Sequence, residues 1–284
     1  MRKVEWMIFF AALAGCSSGP PAQMKNPLAI DFDTATYTVQ SGEEKRYFCF
    51  TTRLPADKDP FITEITPTYG KATHHLGVYY TLADEPDGVF DCPELVRQTW
   101  VPLYGGGIQS GTVKTPDGAA FPLKRNQQIL VQLHLLNSSP NAVTDKASIH
   151  LLTTDAANPT PAGIFGMSDT QIALAPGAGD VTMDCPISHP MNVFGVFGHM
   201  HQLGTHIELS KVGGPVIYGE DWNFNDQPTT AMTFALAKGD SVHLHCQYDN
   251  TTSGMVTYGE SSFNEMCAFV LYYSPYPGLD GCQK

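Results

Sequence analysis

ILVQLHLLN, residues 129–137, sets the reading of the whole chain. On an extended backbone successive side chains point to opposite faces, so Leu133 and Leu135 share one side while Gln132, His134 and Leu136 share the other. A run like this has the length and β-branched content of a strand and lacks a 3.6-residue period. Similar runs recur at Arg46–Arg53, Phe61–Thr66, Leu76–Thr81, Ala147–Thr153, Val193–Met200, Thr205–Lys211, Ser241–Tyr248 and Cys267–Tyr273. Twenty-six Gly and twenty-one Pro punctuate them, as turns do in a sandwich. The expected fold is all-β, built from antiparallel sandwiches. DAANPTPAG at 155–163 carries no strand pattern and reads as a linker. It divides the chain into two tandem β-sandwich domains, 28–160 and 161–284, each of ordinary domain size.

The first residues are read as an address. Arg2 and Lys3 precede an apolar run from Trp6 to Ala14, which predicts a signal peptide over 1–15. The run is about half of the roughly 18 residues that a membrane span needs. Cys16 directly after Leu13, Ala14 and Gly15 resembles a bacterial lipobox, whose cysteine takes the lipid. Residues 16–27 are then the lipidated cysteine and a Ser-, Gly- and Pro-rich tether. The expected place is the bacterial cell envelope, at the outer membrane, with membrane contact through the lipid anchor. Sixteen Lys plus Arg stand against 28 Asp plus Glu, so there is no basic excess and nucleic acid is not an expected partner.

Seven cysteines are present, and setting Cys16 aside leaves six. An even number in an exported chain points to disulfides rather than free thiolates. Cys49 and Cys92 are the natural pair in the first half, whereas spacing leaves the other four open.

Ten histidines occur, several inside strand patterns. His199 and His201 are two apart and face the same way on a strand, so both imidazoles can reach one ion. His243 and His245 have the same spacing, and spacing cannot rank the two pairs. His74 and His75 are adjacent, so shared ligation needs an irregular strand end or bulge. His134 alone reads as a hydrogen-bonded core residue, and Met266 alone as packing.

Taken together these segments resemble the copper type II ascorbate-dependent monooxygenases, the family of peptidylglycine α-hydroxylating monooxygenase and dopamine β-hydroxylase. THHLG at 73–77 is similar to its paired-histidine motif, QLH at 132–134 to the histidine that completes the first copper site, HMHQLG at 199–204 to its H-x-H motif, and NEMC at 264–267 to its acidic-Met-Cys segment. They occur in family order over most of residues 45–284. The resemblance implies jelly-roll sandwiches with an interdomain cleft, and disulfides Cys49–Cys92, Cys185–Cys282 and Cys246–Cys267. It also implies two coppers per chain, one held by His74, His75 and His134, the other by His199, His201 and Met266. A thioether is soft and favours Cu(I) over zinc, so a His, His, Met site holds copper through its reduced state. By resemblance the catalytic residues are His199, His201 and Met266. An external one-electron reductant such as ascorbate and O2 are then partners, and a C–H bond of a substrate in the cleft is hydroxylated.

Departures from the family bear on the substrate. In its peptide-glycine branch the positions of Phe197, Ala268 and Val270 hold an arginine, an asparagine and a tyrosine that orient a carboxylate. Their loss here removes the bidentate grip and points to a small, neutral or apolar substrate. Tyr47 and Gln132 match family positions near the first site. Leu76 replaces a methionine that commonly follows the paired histidines, so the first site is expected to differ at low pH. His243 and His245 have no counterpart and are expected to be structural, as are His150, His189 and His206. Two other classes compete: a copper-binding or storage lipoprotein of the cell envelope without catalysis, and a plain two-domain sandwich.

Overall fold

Every run expected as a strand is a strand in the computed structural model, which describes residues 28–54, 58–108 and 110–284, Arg46 by its backbone alone. The expected signal peptide, Cys16 and the tether lie outside the described residues. No helix occurs among the described residues.

In the first half, one sheet runs in the order Ala29–Asp33, Ser148–Thr154, Phe61–Thr68, Ala119–Pro122, Thr160–Pro161, with Val113–Lys114 alongside Phe61–Thr68. The other runs Gly88–Phe90, Glu44–Arg53, Gln128–Leu136, Thr73–Thr81, Trp100–Gly107. Ile62, Ile65, Ile149 and Leu151 of the first sheet share a buried cluster with Leu76, Val131, Leu133 and Leu135 of the second. Leu133 and Leu135 thus face the core, which turns Gln132 and His134 to the opposite face of the same sheet. That face is also covered: Gln132 and His134 are 3% and 4% exposed.

The second half repeats the plan. Thr230–Leu236, Met191–His199, Cys267–Ser274, Gly163–Asp169 and Asp280–Gln283 form one sheet. Gly177–Pro186, Ser241–Asn250, Gly204–Lys211 and Val216–Asp221 form the other. Val193, Val196, Phe269 and Leu271 pack with Val181, Ile207, Leu209 and Leu244 between them.

The stretch expected as a linker contains a short strand that is pinned to the first half. Thr160 and Pro161 pair in parallel with Ala119 and Ala120, and the next strand starts at Gly163. Ile164, Phe194, Phe197 and Tyr272 of the second half join the buried cluster of the first. Burying side chains of this size contributes about 1.5–3 kcal/mol each. Tyr272 Oη also donates to the Gly105 carbonyl at 2.9 Å and accepts from its N–H at 3.0 Å.

Three disulfides, Cys49–Cys92, Cys185–Cys282 and Cys246–Cys267, are formed. In a chain-entropy account loops of these lengths stabilise by about 3–5 kcal/mol each. Cys246–Cys267 joins the two sheets of the second sandwich right beside Met266.

Candidate metal centre

His74 and His75 share a strand, Thr73–Thr81, and a bulge turns them to one place. Its pairing with Gln128–Leu136 sets His75 opposite His134 but Thr73 opposite Leu135, so His74 is the extra residue. The irregular strand that shared ligation requires is therefore present. His74 Nδ1 lies 3.3 Å from His75 Nδ1, which lies 3.1 Å from His134 Nδ1.

Hydrogen bonds decide which ring nitrogens are free. Gln227 Nε2 donates to the Phe224 carbonyl at 2.9 Å, which orients the amide and leaves Oε1 as an acceptor. His75 Nε2 at 3.0 Å and His199 Nδ1 at 2.9 Å both donate to that oxygen. His134 Nε2 donates to Glu44 Oε1 at 2.9 Å, and His201 Nδ1 to the Asn264 carbonyl at 3.1 Å. The nitrogens left to ligate are therefore Nδ1 of His75 and His134, and Nε2 of His199 and His201.

Burial and the nearest imidazoles hold His74, His75, His199 and His201 below the ordinary imidazole range. Desolvation, followed by neighbouring His134 and His199, brings His74 down to about 3. Desolvation and His201 bring His199 to about 3, and desolvation brings His201 to about 4. His75 is held well below its ordinary value, again first by burial. His75 Nδ1 thus presents a lone pair to two other Nδ1 atoms at once. Imidazole nitrogens bound about 2.0–2.1 Å from a common ion stand roughly this far apart. The donor set fits a metal, and imidazole suits copper.

The second cluster follows from sheet register. Phe197 pairs with Val270 and His199 with Ala268, which sets these four on one face of the sheet, and His201 and Met266 lie just beyond the ends of the same two strands. Phe197, His199, His201, Met266, Ala268 and Val270 all line one cavity of about 540 Å³. Met266 thus lines the same cavity as the two imidazoles of the second half, and its backbone N–H shares Glu265 Oε2 with that of His201. Glu265, from the same NEMC segment, is buried and accepts backbone N–H groups of His201 at 2.9 Å, Leu203 at 2.6 Å and Met266 at 3.3 Å. Burial raises its carboxyl to about 7 in spite of those three donors.

The same cavity is walled by the first half through Tyr47, Leu76, Tyr79, Trp100, Tyr104, Gln132 and His134. This is the interdomain cleft, with an aromatic and aliphatic wall. Arg97 also lines it, but its guanidinium donates to Glu85 at 2.7 Å and Glu94 at 3.0 and 3.1 Å. Gln132 Nε2 donates to the Glu94 carbonyl at 2.9 Å, and the Tyr47 ring meets His134 edge-on at 6.3 Å.

The two histidine clusters touch. The His75 and His199 rings lie edge-on with centroids 4.5 Å apart. The 224–229 loop makes this possible by docking on the first half, where Gln227 N donates to the Ile108 carbonyl at 3.3 Å and Ser110 Oγ to the Gln227 carbonyl at 2.6 Å. Gln227 and Glu44 were not singled out by sequence, because neither lies in a periodic or spaced motif. Glu44 accepts from His134, from Ser262 N at 2.8 Å and from Ser261 Oγ at 2.9 Å. Burial pushes its carboxyl up, but hydrogen bonds from His134, Ser262 and Ser261 outweigh this and hold it at about 2.

The histidines set aside are paired with carboxylates elsewhere. His243 meets Asp184 at 2.6 Å, His245 Asp180 at 2.7 Å, His150 Asp31 at 2.6 Å and His206 Asp221 at 3.0 Å. His189 lies 3.2 Å from Asp280.

Residues 161–284 match the family model described as copper type II ascorbate-dependent monooxygenase, C-terminal domain. Peptidyl-glycine alpha-amidating monooxygenase of Mus musculus is 23% identical over 257 residues, 83% of this chain and 26% of that protein. Peptidylglycine alpha-amidating monooxygenase of Rattus norvegicus is 24% identical over 259 residues, with the same two coverages of 83% and 26%. The chain thus spans about a quarter of the length of these curated relatives. Among solved structures, the glycosylasparaginase PNGase F of Flavobacterium meningosepticum has 8% identity and a TM-score of 0.41, over 89% of this chain and 98% of that one.

Proposed function

We propose that this chain, a member of the copper type II ascorbate-dependent monooxygenase family, holds two coppers and hydroxylates a C–H bond of a small, neutral or apolar molecule. The observation that carries this reading is a continuous run of five buried or half-buried imidazoles, four of which line an apolar cleft together with Met266. His74, His75 and His134 would hold one copper and His199, His201 and Met266 the other. Bound copper supplies one-electron chemistry, by which O2 and two electrons from an external reductant such as ascorbate insert one oxygen atom into the substrate and convert the other to water.

The chain's own residues account for the rest. Gln227 keeps Nε2 of His75 and Nδ1 of His199 protonated, so that the opposite nitrogens stay available. Glu265 and Asn264 aim His201, and Glu265 also holds Met266 by its backbone N–H. Phe197, Ala268 and Val270 turn hydrocarbon toward the cavity beside them. With Arg97 engaged by Glu85 and Glu94, that wall supports an uncharged substrate better than a carboxylate. The lipobox-like Cys16 supports placing the activity at the bacterial cell envelope on a lipid anchor.

The test is copper analysis of the full chain, then oxygen uptake with ascorbate across a panel of small neutral organic compounds. Two coppers per chain and a product carrying one atom of labelled O2 are expected. Two coppers without substrate-coupled uptake would favour storage, and a chain that takes up no copper would remove both readings.

A further inference from the structure

Glu44 opens the strand Glu44–Arg53 and reaches from the first half into the second. It pairs with Leu136, two residues beyond His134, so its side chain and the His134 ring lie on one face of the sheet. One oxygen accepts from His134 Nε2 at 2.9 Å and from Ser262 N at 2.8 Å, the other from Ser261 Oγ at 2.9 Å. The side chain is 13% exposed. Its neighbour Glu43 accepts from Gln40 N instead and offers no substitute.

The partners are not equivalent. His134 belongs to the first candidate site. Ser261 and Ser262 begin the loop that continues through Asn264, whose carbonyl holds His201, to Glu265 and Met266. A single carboxylate therefore joins a ligand of one site to the segment that supplies a ligand of the other. From this juxtaposition, and resting on the two-site reading above, we propose that Glu44 is a positioning residue shared by both metal sites. It fixes the His134 tautomer that turns Nδ1 inward, strengthens that nitrogen as a ligand, and docks the loop that presents Met266. Carboxylates behind a ligating imidazole act in this way, and their loss typically weakens metal binding about 10–100-fold.

The test is a Cu(I) titration against a competing chelator on the full chain and on the Glu44→Gln, Glu44→Asp and Ser261→Ala variants, with the Tm of each metal-free protein. The wild type is expected to take two coppers. Glu44→Gln should bind the first about 10–100-fold more weakly and also loosen the second, without a matching fall in metal-free Tm. Glu44→Asp, which keeps the charge, should recover part of the loss, and Ser261→Ala should keep first-site affinity because the His134 contact is intact. Wild-type affinity at both sites in Glu44→Gln would overturn the proposal, as would losses that only track Tm. A wild-type chain that binds no copper would instead remove the two-site reading, and this inference with it.

Discussion

His75 and His199 donate to one and the same oxygen, Gln227 Oε1, from 3.0 and 2.9 Å, with their rings 4.5 Å apart. One residue from each half is thereby oriented by a third that neither motif contains. Gln227→Leu removes the acceptor and leaves two N–H donors without a partner, at about 1–3 kcal/mol each. Copper affinity should fall at both sites together, about 10–100-fold, in a competitive titration. A loss confined to one site would show that the shared acceptor does not matter to both.

Gly107 is what lets Gln227 come so close. A Cβ on Gly107 would lie 2.5 Å from Gln227 Cβ and 3.0 Å from its Oε1, too near for either to stay. Gly107→Ala should therefore destabilise by about 1–3 kcal/mol and reproduce the two-site copper defect of Gln227→Leu. Gly105→Ala is the control, since its Cβ would meet nothing within 4 Å. Equal behaviour of the two alanine variants in unfolding and copper titrations would contradict the close-approach argument.

What was legible in the sequence was whatever repeats locally. Alternation along ILVQLHLLN and the other runs marks the strands because one face of each must be buried. The His-x-His spacing of 199 and 201 is equally a local pattern, although 243 and 245 share it and turn out to meet Asp184 and Asp180. Strands such as Gly163–Asp169 and Trp100–Gly107, rich in glycine, gave no alternation to read. The contact of His75 with His199 had no local signal at all. It depends on where the 224–229 loop lands on the first half, which is fixed by tertiary packing around Ser110 and Tyr272.

Met266→Ile keeps the bulk of the side chain and removes the thioether. The cavity and fold should survive, because volume-conserving apolar exchanges usually cost below about 1.5 kcal/mol. Hydroxylation should be abolished, the second copper weakened and the first spared, as read by copper stoichiometry and by loss of sulfur scattering from Cu(I). Equal loss of both coppers would count against the assignment of Met266 to one site.

Glycine-extended peptides should not be turned over at a useful rate, since the wall made by Phe197, Ala268 and Val270 offers no partner for a carboxylate. Phe197→Arg places a cation there and should raise the KM for an uncharged apolar substrate, with copper content unchanged. Brisk turnover of a glycine-extended peptide by the unaltered chain would show the reading of this wall to be wrong.

Acid should destabilise the metal-free chain. His74, His199 and His201 are pulled from 6.5 to about 3, 3 and 4, mainly by burial, so unfolding takes up protons below pH 6.5. The stability these rings contribute is present above 6.5 and is lost as pH falls toward their folded values. At about 1.4 kcal/mol per unit, His201 alone accounts for about 3 kcal/mol, and the rings share one site, so their contributions do not simply add. Glu265 opposes this. Its carboxyl is raised from 4.5 to about 7, so its contribution is present below 4.5 and is lost as pH rises toward 7. Several histidines against one carboxylate leave the net slope falling toward acid. Urea unfolding of the metal-free chain from pH 7.5 down to 4 should show decreasing midpoints, and Glu265→Gln, which lacks the opposing group, should show a steeper decrease. Midpoints that rise on acidification would mean that the imidazoles are charged in the folded protein, and hence not poised as ligands.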